Sequence, residues 1–325
     1  MNRGNISAIA SYATQSGTRR IFKCSHCGET FSETRGTVFF DLRTEEKVMM
    51  ALKRLLVRVE LTAICFVLGV TELTLLEWLR RAAAKAQEIN EHLLREVRVT
   101  HVQLDEMWNL IARKCSHRAA TNGESLPESE DGRQWIGLSY APESRLLLAA
   151  VVGPRTYATA LVLIQMTATV VWGVPCFFSD GLSSYLHALI AVYHRVKEFP
   201  RTGRQARPRK AVLEPHEELV YAQVIKKKEK GRLKELTERV FVGAEKLARL
   251  GLKISTSLIE RLNQTFRHAL APLVRKSRSF CKEREPLKRR VVFFQAFYNF
   301  ARPLMSLRVA LPEPQRISQG LFQPK

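Results

Sequence analysis

Val97-Arg98-Val99-Thr100-His101-Val102-Gln103-Leu104-Asp105-Glu106-Met107-Trp108 is the stretch whose reading decides the fold. Val97 to Thr100 alternates apolar and polar residues, and Val102 to Asp105 alternates again on the opposite parity. Period two is the signature of a half-buried strand. Either a bulge near His101 shifts the phase, or the strand proper begins there. After a polar loop over 121–132, residues 135–140 and 146–152 read as two further strands. Ala141-Pro142-Glu143-Ser144 joins them as a hairpin turn. A helix is expected over 157–169, then a short apolar strand over 175–179 that ends at Asp180. Residues 184–196 read as the next helix.

Three antiparallel strands, a helix, a strand and a helix form the opening of an RNase H-like α/β fold, a mixed sheet with flanking helices. The expected domain spans 97–305. Residues 197–250 are expected to interrupt it with a basic insertion holding Arg201, Arg204, Arg207, Arg209, Lys210 and the run Lys226-Lys227-Lys228. A final helical block starts near Ser255, and 306–325 read as a loosely ordered tail. Upstream, Thr44 precedes two acids and an amphipathic helix through Met50, Leu52, Leu55 and Leu56. Residues 61–68 form a second short helix and Gly69 the turn. Thr71 caps a third helix with Leu75, Leu76, Trp78 and Leu79 on its apolar side. Over 44–96 this is a helix-turn-helix followed by a connector helix. In such a module the third helix would enter the major groove, presenting Thr74, Arg80 and Arg81 beside Glu72 and Glu77. A plain three-helix bundle is the alternative.

The bulk numbers favour the DNA-binding version. The chain has 52 Lys and Arg against 31 Asp and Glu, a net charge of +21. Such an excess attracts phosphate backbones through counterion release, and anionic membrane surfaces as well. No apolar stretch has the ~20 residues a membrane span needs, and the N-terminal residues lack the apolar core of a signal peptide. A cytoplasmic protein acting on double-stranded DNA is therefore expected. The scattered Cys65, Cys115, Cys176 and Cys281 read as reduced thiols, and only Cys24 and Cys27 have a meaningful spacing.

Three acids stand out by position. Asp105 is expected at the end of the first strand, beside Glu106 and Trp108, Asp180 ends the short apolar strand Cys176-Phe177-Phe178-Ser179, and Glu260 sits in Ser257-Leu258-Ile259-Glu260-Arg261-Leu262-Asn263, a helix. In the expected sheet, the strands carrying the two aspartates are neighbours, and a later helix brings the glutamate. Converged carboxylates repel unless cations lie between them. Mg²⁺ or Mn²⁺ suits the role, because a hard cation takes oxygen ligands and keeps positions open for phosphate. Arg267, two helical turns after Glu260, would share its face and meet a DNA phosphate. Lys226, Lys227 and Lys228 would follow the DNA backbone, or else form a solvated charge run.

Leu104-Asp105-Glu106-Met107-Trp108, then Ser179-Asp180-Gly181 with Tyr185, then Ile259-Glu260-Arg261-Leu262-Asn263 with Arg267, resemble the DDE transposases of bacterial insertion sequences. The family of insertion sequence one is the nearest match. Arg275-Lys276-Ser277 and Glu218-Leu219-Val220-Tyr221 add to the likeness, which runs from about Cys24 to Phe300. It implies a divalent-metal triad of Asp105, Asp180 and Glu260. It further implies an N-terminal module that reads the element's terminal inverted repeats. Family members commonly begin with two Cys-x-x-Cys pairs. Here Cys24 and Cys27 are one pair, and residues 1–23 hold neither Cys nor His. Residues 1–43 therefore read as a partial zinc-ribbon-like segment, short of the four ligands a structural Zn²⁺ needs. Strand transfer requires two DNA ends held together, so a homo-oligomer is expected. The competing reading is a transposase-derived regulator that binds DNA without chemistry.

Overall fold

The computed structural model describes residues 4–14, 17–42, 44–111, 132–199, 210–229, 232–274 and 279–307. The expected loop over 121–131, Cys115, Arg201, Arg204, Arg207, Arg209, Arg275, Lys276, Ser277, the side chain of Lys228 and the tail beyond 307 lie outside them.

A six-stranded mixed sheet organises the chain. Its strands are β4 (His101–Ile111), β5 (Gly132–Ala141), β6 (Leu146–Gly153), β7 (Cys176–Ser179), β10 (Val220–Glu229) and β11 (Arg232–Val242), in the order β11-β10-β7-β4-β5-β6. β4, β7 and β10 run parallel to one another, while β5, β6 and β11 run antiparallel to their neighbours. The phase shift near His101 is explained: β4 begins there, and Val97 makes only an isolated bridge to Val171. Strand alternation then sorts the side chains. Val102 and Leu104 face a layer built from α4 (Tyr157–Val170) and α5 (Ser184–Val192). Met107 and Ile111 face α7 (Ser257–Ala269) and α8 (Arg284–Ala296). The central β7, Cys-Phe-Phe-Ser, is buried at every position, as a strand covered on both faces must be.

Two expectations are corrected. Residues 197–250 are not simply an insertion, because β10 and β11 belong to the main sheet and β10 pairs with β7, Ala222 opposite Phe178. The apolar run from Val220 to Ile225 carries that strand into the core, and the lysines that follow mask its signal. The helix expected over 184–196 ends at Val192, and His194–Lys197 forms β8, paired with β9 (Val212–Pro215). Arg195 and Lys197 both reach Glu214 across that ribbon.

Upstream, α1 (Glu45–Leu55), α2 (Leu61–Leu68) and α3 (Glu72–Leu93) enclose a small core of Val48, Leu55, Ile64, Leu75 and Trp78. Gly69 takes the left-handed conformation that ends α2, and the Thr71 hydroxyl accepts from Thr74 N at 3.2 Å to start α3. α2 and α3 meet at 108°, within the range of helix-turn-helix pairs. No single helix among the described residues is long and apolar enough to cross a membrane. The first 43 residues contain an antiparallel sheet that the sequence pattern did not announce: β1 (Ile6–Thr14), β2 (Gly17–Cys24) and β3 (Thr30–Ser32). β1 buries no residue, so apolar alternation had nothing to report.

Gly243, between β11 and α6 (Ala244–Leu250), has φ +74°, and a Cβ there would lie 2.6 Å from the Leu219 carbonyl oxygen. Gly243→Ala should lower stability by about 2–4 kcal/mol, from left-handed strain plus overlap with backbone. Chemical denaturation measures this, and a neutral result would show that the β11–α6 junction is looser than described.

Candidate active site

The parallel pairing of β4 with β7 sets Leu104 opposite Ser179, so Asp180 follows the end of β7 beside Asp105. Asp105 lies midway along β4 rather than at its end, because that strand runs on to Ile111 with Asp105 opposite Leu138 of β5. Asp105 shares its parity with Met107 and points to the α7 face. Lys226 on β10 follows the parity of Ala222 and Val224, which face that side of the sheet through α6. Helix α7 buries Ile259, Leu262 and Phe266 and turns Glu260 and Asn263 toward Asp105. Its start is fixed to β4 by Ile259 N, which donates to the Gln103 side-chain oxygen at 2.9 Å. The sheet and one helix thus bring together the three acids singled out by sequence.

The acids act on one another through their charges. The buried Asp105 carboxyl is pushed up to about 7, first by desolvation, then by the charges of Asp180, Glu106 and Glu260. Asp180 is also raised, chiefly by burial and against the opposing pull of Leu182 N, Arg155 and Lys226. Two hydrogen bonds hold Asp105: Asn263 Nδ2 donates to one oxygen at 2.6 Å, and Glu106 N to the other at 2.8 Å. Glu260 accepts from Thr256 Oγ1 at 2.9 Å and is ion-paired with Lys226. Among the described residues no three His, Cys, Asp or Glu side chains are arranged to enclose a metal ion. The ammonium of Lys226 stands against the carboxylate that would complete such a set.

On the opposite face of β4, Glu106 is 6% exposed and pairs with Arg155 at 3.1 Å. Burial and the Asp180 charge raise its carboxyl. The Arg155 guanidinium lies 4.7 Å above the Trp135 ring, and Trp135 is the cross-strand partner of Trp108. Sequence reasoning missed Arg155, which follows a Gly-Pro turn and belongs to no motif. The one available signal was that a buried Glu106 demands a cation.

The other expected site residues are placed as follows. Arg267 lies about 10 Å along α7 from Glu260 and donates to the Leu273 carbonyl at 3.2 Å. Lys227 is exposed and pairs with Glu235 on β11, while Lys226 belongs to the acidic site rather than to a solvated run. Arg80 and Arg81 both bind Glu77, whose carboxyl falls to about 2 through their hydrogen bonds. Arg81 also donates to the Phe40 carbonyl. Thr74 lies in the first turn of α3, its hydroxyl 2.9 Å from that of Thr71. Cys24 and Cys27 share one tight turn, in which Gly28 N donates to the Cys24 carbonyl at 2.9 Å. Backbone N–H groups of Cys27 and His26 lower the Cys24 thiol, as in a knuckle shaped for thiolate. No further ligand joins the pair among the described residues.

No protein-family model matches the sequence, and no curated protein matches it. Among solved structures, the chain is partly similar to the Mos1 strand transfer complex, at 13% identity and TM-score 0.19 over 41% of this chain and 50% of that one. A Mos1 transposase paired-end complex with the left transposon end gives 13% and 0.18 over 41% and 52%. A Mos1 mariner paired-end complex with Mn gives 12% and 0.19 over the same shares. The chain spans about half the length of these proteins. Superpositions this poor assign neither fold nor chemistry, and the site rests on its own geometry.

Asp105 gives a pH prediction. Its folded value of about 7 lies above the ordinary 3.8, so the folded state holds an extra proton between the two. The metal-free protein should lose stability as pH rises from about 4 to 7, by on the order of 4 kcal/mol. Asp105→Asn should flatten that slope. Unfolding midpoints measured across this range check it, and an equally steep slope in the variant would remove Asp105 as the source.

Proposed function

We propose that this protein is a DDE-type DNA transposase: it cuts phosphodiester bonds and transfers strands of an insertion sequence, using divalent cations. The observation that carries the reading is the approach of Asp180, just past the end of β7, to Asp105 on the neighbouring parallel strand β4, beneath a helix that brings Glu260. The donor set suits Mg²⁺ or Mn²⁺: carboxylate oxygens alone, crowded enough that Asp105 holds its proton to about pH 7. Asp105, Asp180 and Glu260 would hold the cation once Lys226 releases Glu260. When bound, the cation supplies positive charge to the reacting phosphate and lowers the pKa of an attacking water or 3′-hydroxyl.

The chain's own residues do the rest. Asn263 fixes the Asp105 carboxylate, Thr256 orients Glu260, and Arg155, held by Glu106 and Trp135, places a cation beside Asp180. A net charge of +21 attracts the DNA backbone. The 108° helix pair would dock α3 in the major groove of the terminal inverted repeats, with Thr74 at its leading end. There Arg80 and Arg81 serve as phosphate contacts shared with Glu77. The motif likeness supports a transposase similar to those of insertion sequence one as the finer reading. Double-stranded DNA is the substrate, a homo-oligomer holds two ends, and the protein acts in the cytoplasm.

One observation favours the second reading, a DNA-binding regulator without chemistry. The Glu260 carboxylate is occupied by Lys226, and no three-ligand metal cluster stands ready among the described residues. Cleavage and strand transfer on labelled element-end duplex, with Mg²⁺ or Mn²⁺, decide between the two. The wild type should cut and join. Asp105→Asn, Asp180→Asn and Glu260→Gln should each lose at least 10³-fold in rate, about 4 kcal/mol, while retaining duplex affinity. A wild type that binds but never cuts with either cation would establish the regulator instead.

A further inference from the structure

Where the helix-turn-helix meets the catalytic sheet, a cavity of about 310 Å³ opens between the first turns of α2 and α3 and the segment that enters α8. Arg290, in the second turn of α8, forms part of its lining and is 5% exposed. Its Nε has no hydrogen-bond partner, and the charge it senses from Glu72 is not backed by a hydrogen bond. An arginine this deep is normally paired, because isolating a guanidinium from both water and carboxylate costs several kcal/mol. The carboxylates nearby do not satisfy it: Glu60, Glu72 and Glu283 line the cavity but are exposed at its rim. The same wall carries Lys282 and the first turns of α2 and α8, and neither helix has a side-chain cap at its N-terminus. An unpartnered planar donor beside two uncapped helix starts is the chemistry that receives an oxyanion.

We propose that this cavity binds a phosphate group anchored by Arg290, from free phosphate or from the backbone of bound DNA. The ligand would touch α2 and α3 on one side and α8 on the other. α3 also packs along α8, where the Asn90 amide donates to the Val292 carbonyl. Phosphate bound here would therefore fasten the DNA-reading helices to the catalytic unit. The proposal goes beyond the catalytic reading and does not depend on Asp105, Asp180 or Glu260.

The test is thermal unfolding and titration calorimetry of the full chain with inorganic phosphate, against chloride at matched ionic strength, for wild type, Arg290→Met and Leu76→Trp. Phosphate should raise the wild-type midpoint and chloride should not. Arg290→Met should bind phosphate at least tenfold more weakly, and without phosphate it should unfold no earlier than wild type, since an unpaired buried charge has gone. Leu76→Trp keeps Arg290 but fills space in the cavity, and it should also lose the response. A short duplex then separates the sources. If the ligand is a DNA phosphate, duplex competes with phosphate, and Arg290→Met reduces the salt slope of duplex binding by about one. If it is the free anion, duplex and phosphate bind together and the slope is unchanged. A wild type indifferent to phosphate, or variants that respond to it as strongly as the wild type, would overturn the proposal.

Discussion

Two aspartates on adjacent parallel strands, Asp105 within β4 and Asp180 just past the end of β7, repel each other, and burial makes the repulsion expensive. The pairing of Leu104 with Ser179 imposes that arrangement, because the hydrogen-bond register of β4 and β7 fixes which residues emerge together. Much of what surrounds the two aspartates answers it. Asn263 gives Asp105 a donor, and α7 is held by Ile259 N on Gln103 and by the packing of Leu262 and Phe266 under β4 and β5. Lys226 brings an ammonium to Glu260, and Arg155 brings a guanidinium toward Asp180 from the opposite face. Burial first, and then the charges of Asp180, Glu106 and Glu260, push the Asp105 carboxyl up to about 7. A site with this imbalance is stabilised by any cation that enters it.

Much of this was legible in the sequence where one physical signal spoke alone. The three helices between Glu45 and Leu93 carried apolar spacing, a Gly69 turn and a Thr71 cap, and the structure places each where that pattern put it. β4 to β7 were readable from alternation and from an apolar tetrapeptide. Reading failed where signals competed. The lysines after Ile225 hid an interior strand, because their charge density reads as a basic, DNA-following insertion. The sheet over residues 6–32 escaped notice because β1 buries nothing. At the site, the positions of Asp105, Asp180 and Glu260 could be anticipated from topology. The Lys226–Glu260 pair and the Arg155–Glu106 pair could not, since they join residues far apart in sequence by side-chain reach alone.

Charge is spread with similar economy. Although the chain carries +21 overall, the arginines on α3 are tied to Glu77 and lose part of their field to it. The same helix leaves Leu73 80% exposed, and α2 leaves Phe66 88% exposed. The module therefore presents apolar surface and a threonine as well as cations. If the module meets DNA as proposed, backbone attraction would supply affinity, and contacts of the former kind would read base edges. Arg290 stands behind this surface, where α2 and α3 meet α8.

The central claim is that Asp105, Asp180 and Glu260 form one cation site. Anomalous diffraction from crystals soaked with Mn²⁺ tests it most directly. A manganese peak is expected between the Asp105 and Asp180 carboxylates, with Glu260 turned away from Lys226 toward the ion. A peak elsewhere only, or none at these residues while Glu260 stays paired with Lys226, would contradict it.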